Sequence, residues 1–407
     1  MTKYGVSPWL DQFPKSRIPS YPRYGGKTRP PGDVVIIGGG LTGCAAAYAF
    51  AAAGVKVVLL EADRIGRGAT SASAGWIATE PGVPFEQVEK SVGLRAAKQA
   101  FQTWRRAALD FAALLRRLEI KCGLEPHDAI VVARSQEDAA RLKKEQRARV
   151  AAKLDAPLLN ARAIGAGLAL DGVAGLREKN GATIDPYRAC VGLAAAAASR
   201  GAQIFERSAV KRVTFNRKTA DVLLPGASIR TNRVVVATSL PTALFKGLIR
   251  HFWFKTAYLV LTDPIPVKIR RLLGADHVII RDLAEPPHVI RWVGDDRLLV
   301  LGADSEAAPP RQRDKVVVQR ANQLMYELST LYPDISGIRP AFGWAADYAL
   351  TAEGLPYIGA HRNYPHHLFV FGDASHSVTA AYLASRVLLR QHLGQSDSGD
   401  EAFSFNR

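Results

Sequence analysis

Apolar positions along this chain change their period several times, and each change marks an element. Val34 to Ile37 form a run of four β-branched residues, the mark of a strand buried on both faces. An alanine-rich stretch follows, then a second apolar run at 55–60, so strand, helix and parallel strand are expected in that order. Between 85 and 120, Val88, Val92, Phe101, Trp104, Phe111, Leu115 and Leu118 recur mostly at three- and four-residue steps. That spacing predicts a long helical region with one apolar face, broken near Gly93. A short strand is expected at 129–133. Asp185-Pro186 opens a helix running to 199, with Asp as N-cap and Pro at the first helical position. Strands are expected at 203–206, 210–215 and 234–237. From His251 the runs HFWFKTAYLVLTDP, HVIIRDL, HVIRWV and RLLVLGAD read as successive strands, the last two joined by a Gly294-Asp-Asp turn, which predicts an antiparallel sheet. A helix near 311–331, a strand at 368–371, the turn Gly372-Asp373 and a helix over 377–393 complete the chain.

The first strand runs directly into Gly38-x-Gly40-x-x-Gly43. Gly38 permits the tight turn, Gly40 lets the backbone approach a diphosphate, and Gly43 lets helix and strand pack closely. The helix start carries open N–H groups and the positive end of the helix dipole. Glu61 stands 18 residues past Gly43, close to the roughly 20 expected of an acid that accepts ribose hydroxyls. Strand, glycines, helix, strand and acid in register point to a bound dinucleotide. A second small-residue turn, GRGATSASAG at 66–75, suits a backbone passing close to a ligand.

Composition adds limits. With 407 residues and 48% hydrophobic content the chain can build two core-forming units. The N-terminal residues, rich in proline and aromatics, read as an extended arm and not as a signal peptide. No apolar stretch has the length of a membrane span. Cys44, Cys122 and Cys190 lack metal or disulfide spacing, which suits a reducing cytoplasm; Cys44 reads as a small buried residue. The net charge of +17, concentrated in runs such as RLKKEQRAR at 141–149, reads as a generally basic surface. It lacks the interleaved aromatics and motifs of a DNA- or RNA-binding face, although peripheral contact with an anionic membrane is compatible with it.

An opening dinucleotide motif, a β-rich middle and a returning Gly-Asp-helix at the far end form the order found in flavoproteins. In that order the chain resembles the FAD-dependent D-amino-acid oxidase and sarcosine oxidase superfamily. The pieces are GGGLTG with Glu61, GRGATSASAG, DPYRACVGLAAAAASRGAQIFERSAVKRV, RVVVATS, GWAADYALTAEGLPYIG and LFVFGDASHSVTAAYLASRVLL. The resemblance implies an α/β fold, with an FAD-binding Rossmann-like domain of glutathione-reductase type and an inserted α+β substrate domain on an antiparallel sheet. It divides the chain into an arm (1–30), a discontinuous FAD domain (31–84, 155–248 and 340–395), a substrate domain (85–154 and 249–339) and a tail (396–407).

It also implies roles. FAD, held non-covalently, would lie against Gly38, Gly40, Leu41, Thr42, Gly43, Glu61, Ala62, Gly68, Ala69, Thr70, Ser71, Val210, Ala237, Thr238, Gly372, Asp373, Ser377, Val378 and Thr379. The amides near Val378 and Thr379 would face the pyrimidine end of the flavin, where charge develops on reduction. Arg291 would hold a substrate carboxylate, with Lys255 and Tyr258 lining the same pocket and His376 touching substrate or flavin. The expected reaction is hydride transfer from the carbon beside an amine, giving an imine that hydrolyses. The substrate would be an amine or amino acid, and the acceptor oxygen, a quinone or a carrier protein. RLLVLGAD has no lysine where sarcosine-type oxidases place one, and the turn GDASHSVT carries bulkier groups than relatives do. The first departure keeps a dehydrogenase open. The second keeps open a flavin-binding assembly protein, and the basic charge keeps open a tRNA-modifying flavoenzyme of the same superfamily.

Overall fold

The computed structural model describes residues 1–26, 32–274, 278–373 and 376–407. The run Val34–Ile37 is a fully buried strand at the centre of a six-stranded sheet. Across that sheet lie Tyr357–His361, Tyr364–Phe371, Arg233–Ser239, Val34–Ile37, Val57–Leu60 and Gln203–Phe205, with only the first pair antiparallel. One face is covered by the helix Leu41–Ala52, flanked by Pro186–Ser199 and Thr379–His392. On the other face Val35, Ile37, Val58 and Leu60 pack with Ala220, Val222 and Ile229 of a three-stranded antiparallel sheet. Burial on both faces explains why these strands carry no polar alternation.

The ten-stranded second sheet is mostly antiparallel. Its order is Lys3–Tyr4, Pro340–Leu350, Trp253–Thr262, Arg297–Ser305, Val289–Val293, Ile279–Arg281, Glu125–Ala133, Ala174–Thr183 and Trp76–Ile77, with Leu158–Asn160 beside Ala174–Thr183. Two neighbour pairs are parallel: Lys3–Tyr4 with Pro340–Leu350, and Ile279–Arg281 with Glu125–Ala133. Alternation along Trp253–Thr262 sends Tyr258 and Val260 to the side covered by the helix Arg313–Leu331, and Ala257, Leu259 and Leu261 to the opposite side with Leu301 and Trp344.

Three strands that the sequence reading placed in the nucleotide unit (Trp76–Ile77, Ala174–Thr183 and Pro340–Leu350) are hydrogen-bonded into this second sheet instead. Local pattern fixes a strand, whereas its neighbours come from pairings far away in sequence. The arm is not merely extended: Lys3–Tyr4 adds an edge strand, and Pro8–Asp11 is a short helix that buries Trp9. The basic run is not wholly solvated either. Arg149 is buried, its Nε donating to Glu145 at 2.6 Å, with Glu80 at 3.7 Å and Glu178 at 4.0 Å. Burial raises the Glu80 pKa to about 8 despite that guanidinium.

Candidate active site

The glycine motif builds the first part of the site. Gly38 has φ +109°, and a Cβ there would lie 2.4 Å from the carbonyl of Ala237. A Cβ on Gly43 would lie 1.9 Å from the Gly38 carbonyl, so only hydrogen fits between helix and strand. Gly40 begins the helix with no side chain to cap it, and the Leu41 amide donates to Thr70 Oγ1 at 2.8 Å. Glu61 follows the strand Val57–Leu60. Its Oε2 accepts from the Gly39 amide at 2.6 Å and its Oε1 from the Asp63 amide at 2.7 Å. Gly38, Gly40, Leu41, Thr70 and Glu61 wall a cavity of about 790 Å³ that also meets Ala62, Gly68, Ala69, Val210, Ala237 and Thr238.

A second cavity, of about 130 Å³, shares Leu41, Thr42, Ala69 and Thr70 with the first. Its far wall is Gly372, Asp373, His376, Ser377, Val378, Ala346, Asp347, Tyr348 and Leu301. It lies between the two sheets, and one set of bonds holds them there. The Ser377 hydroxyl donates to the Trp76 carbonyl at 3.1 Å and accepts from the Ala78 amide at 3.1 Å. Thr379 Oγ1 donates to the Ala78 carbonyl at 2.7 Å.

The chemistry of this wall is concentrated at His376, which has φ +55°. Its Nε2 is 3.4 Å from Asp304 Oδ2, and its Nδ1 is 3.4 Å from Asp373 Oδ2. Burial opposes its positive form, but the bond to Asp304 and the charges of both aspartates prevail and raise its pKa. The Tyr348 hydroxyl donates to the same Asp304 oxygen. Burial and the Asp304 charge keep that phenol protonated.

A family model described as FAD dependent oxidoreductase matches residues 33–391. The chain belongs to this FAD-dependent oxidoreductase family. It is 26% identical over 381 residues to the probable oxidoreductase OrdL of Haemophilus influenzae, covering 90% of this chain and 84% of that one. It is 26% identical over 373 residues to the gamma-glutamylputrescine oxidoreductase of Escherichia coli, covering 90% and 85%. Among solved structures, glycine oxidase from Geobacillus kaustophilus superposes with a TM-score of 0.73 at 19% identity, covering 92% of this chain and 98% of that one.

The two joined cavities fit the FAD of this family. Side-chain-free backbone at Gly38 and Gly40, a helix start and Glu61 suit the diphosphate and ribose of the ADP half, and the space between the sheets suits a flat ring system. Of the residues expected to hold it, Gly43 and Thr379 do not line either cavity: Gly43 closes the helix onto the strand, and Thr379 ties the last helix to Ala78. Ser71 lines an adjoining groove with Arg67, Arg313 and residues of the arm. The amides of Val378 and Thr379 are both engaged within the protein, donating to the Trp76 carbonyl and to Ser377 Oγ. Ala374 and Ser375, in the bulky turn, lie outside the described residues.

The expected substrate residues are not gathered. Arg291 is 4% exposed and directs Nε to the Ala74 carbonyl at 2.6 Å, Nη1 to Trp292 at 3.0 Å and Nη2 to Ile184 at 3.3 Å. It also stacks over Trp9, and burial lowers its pKa to about 10. It is a structural cation and offers no fork to a carboxylate. Lys255 pairs with Glu306 at 2.6 Å on the surface. Tyr258 is buried on the opposite side of the sheet, against the helix Arg313–Leu331, because it has the wrong parity along its strand. His376 alone of the four reaches the cavity. Sequence reasoning passed over Asp304, Asp347 and Tyr348, although ADY and GAD place acids and a phenol inside otherwise apolar strands, a pattern that marks buried polar groups with a task.

Proposed function

We propose that this flavoprotein oxidises the C–N bond of a small amine or amino acid, with FAD held non-covalently. When bound, FAD supplies a two-electron acceptor for hydride from the carbon beside the nitrogen, leaving an imine that water hydrolyses. The observation that carries the reading is the polar cluster of His376, Tyr348 and Asp373 on the wall of the inter-sheet cavity, with Asp304 behind it holding the imidazole and the phenol. Glycine oxidase and gamma-glutamylputrescine oxidoreductase, named for amino-acid and amine substrates, are among its relatives. Non-covalent binding is supported by the walls of both cavities, which contain no cysteine among the described residues.

The residues of the chain divide the work. Leu301, Val370 and Ala346 supply an apolar surface that excludes water. His376, whose pKa the two aspartates raise against burial, is the one basic side chain on the described wall, and its protonated form favours negative charge developing beside it. The N-terminal end of the helix Thr379–His392 acts in the same sense through its dipole. Arg297–Ser305 presents Leu301 to the cavity and carries no lysine, which favours a quinone or a carrier protein over oxygen as acceptor. We place the enzyme in the cytoplasm on its three free cysteines; among the described residues no helix is long and apolar enough to cross a membrane.

An anaerobic screen of amines and amino acids, followed by flavin absorbance, tests the reading. Bleaching by at least one substrate is expected. A flavin that no member of either class bleaches sinks it.

A further inference from the structure

We propose that the groove beneath the N-terminal arm is a second substrate subsite, in which Arg67 and Arg313 hold a carboxylate carried at the far end of an amine substrate. The inference rests on the inter-sheet cavity being the place of C–N oxidation, and it narrows the substrate class of that site to amines with a distant anionic end.

The arm builds the groove. The Gly5 amide donates to the Gly343 carbonyl at 2.8 Å, and Trp9 Nε1 donates to the Ser73 carbonyl at 2.9 Å. These two bonds fix the arm on either side of Val6 and Ser7, and Val6, Leu10 and Trp344 line a space of about 360 Å³. The inter-sheet cavity, of about 130 Å³, shares Ala69, Ala72, Ser239 and Asp347 with it. Three of these four residues are small, so no large side chain stands at the junction except Asp347. A substrate too long for the cavity extends into the groove.

Charge divides the two spaces. On the cavity wall Asp347 and Asp373 outnumber His376, and no lysine or arginine lines it among the described residues. In the groove Arg67 and Arg313 outnumber Asp347. Both guanidinium groups are open to a ligand: Arg67 is exposed, and the Arg313 side chain is 51% exposed. Each has one engagement, Arg313 with Asp347 and Arg67 with the Tyr187 phenol. A guanidinium has five N–H donors, so each keeps donors for a carboxylate. An ammonium is drawn to the acidic end and a carboxylate to the cationic end. A molecule with its two charges at opposite ends of a carbon chain matches both. An α-amino acid, whose charges are adjacent, must bring its carboxylate against the acidic wall.

The test uses the FAD-loaded enzyme and ω-amino carboxylates of increasing chain length, each against the alkylamine of the same carbon number. A tail bound equally in ground state and transition state lowers KM and leaves kcat alone. At one length in the series KM is expected to lie about tenfold below that of the alkylamine, a size set by the exposure of both arginines. That advantage should shrink as salt is raised. Arg67→Gln and Arg313→Gln should each reduce it, and Arg67→Glu should turn the preference toward an alkyl diamine. Hexanoate, which has no amine to oxidise, separates binding from turnover. It is expected to bind in calorimetry and to shield Arg67 and Arg313 from phenylglyoxal, as read by peptide mass spectrometry. Equal KM for the two series at every length, an advantage that survives when both arginines are replaced by Gln, or hexanoate that shields neither arginine overturns the proposal. If no amine of either series bleaches the flavin, the oxidation reading falls, and shielding by hexanoate still decides whether the groove is an anion subsite.

Discussion

Tyr348 and Asp304 meet across the strand Trp253–Thr262, which separates their own two strands, the phenol donating to Oδ2 while the ring of His376 stands edge-on to it with centroids 4.5 Å apart. Removing the hydroxyl frees Asp304 and loosens the imidazole without opening a hole. Tyr348→Phe is therefore expected to slow anaerobic flavin reduction about tenfold, in line with the loss of one hydrogen bond to a charged group, and to leave FAD content unchanged. Stopped-flow absorbance measures the first effect and the ratio of flavin to protein absorbance the second.

Cofactor retention depends on contacts of a different kind. In Gly43→Ala the new methyl group would lie 1.9 Å from the Gly38 carbonyl, so helix and strand must part and the anion cradle opens. The expected product is apoprotein or insoluble protein. Glu61→Ala leaves the backbone intact but removes the acceptor of the Gly39 amide. It should fold and lose FAD on gel filtration, with an affinity loss of about 2 kcal/mol. Full flavin occupancy in Glu61→Ala would contradict the assignment.

Arg291 provides a stability test. Truncation to Ala strips donors from the carbonyls of Ala74, Ile184 and Trp292 and leaves Trp9 without its stacking partner. A loss of about 3 kcal/mol or more is expected in chemical denaturation. The affinity of the folded fraction for substrate should change far less than the stability does, whereas a carboxylate-binding arginine would show the reverse.

His288 makes stability depend on pH. Its Nδ1 lies 2.6 Å from Asp282 and its Nε2 2.9 Å from Glu327. The bond to Asp282 leads the causes that, against burial, raise its pKa to about 9. A histidine raised on folding contributes stability that is whole below about 6.5 and is lost as pH climbs through about 9. The melting temperature should fall over that window, and His288→Gln should flatten the fall while lowering stability at pH 6.

The nucleotide half of the site was legible because its signals are local. Val34–Ile37, the three glycines and Glu61 lie within one short stretch, and hydrogen-only contacts at Gly38 and Gly43 are conditions on single residues. Helix boundaries around Gly93 and at Asp185-Pro186 were legible for the same reason. The substrate half was not. The expectation for Arg291 weighed the right chemistry at the wrong place, since nothing in HVIRWV tells that Ala74 and Ile184 carbonyls wait beside it. Tyr258 was misjudged through strand parity, which depends on which side the helix Arg313–Leu331 takes.

By itself, then, the sequence determined the kind of ligand: a strand-glycine-helix-acid unit is readable because turn geometry and helix dipoles act over a few residues. Only the tertiary structure decided which side chains face that ligand. It brought Asp304, Tyr348 and His376 together from three separate segments, and it tied Ser377 to Trp76 and Thr379 to Ala78 across some three hundred residues of chain. Such pairings depend on which strands neighbour one another and on the parity of each position, and no local pattern of residues encodes either.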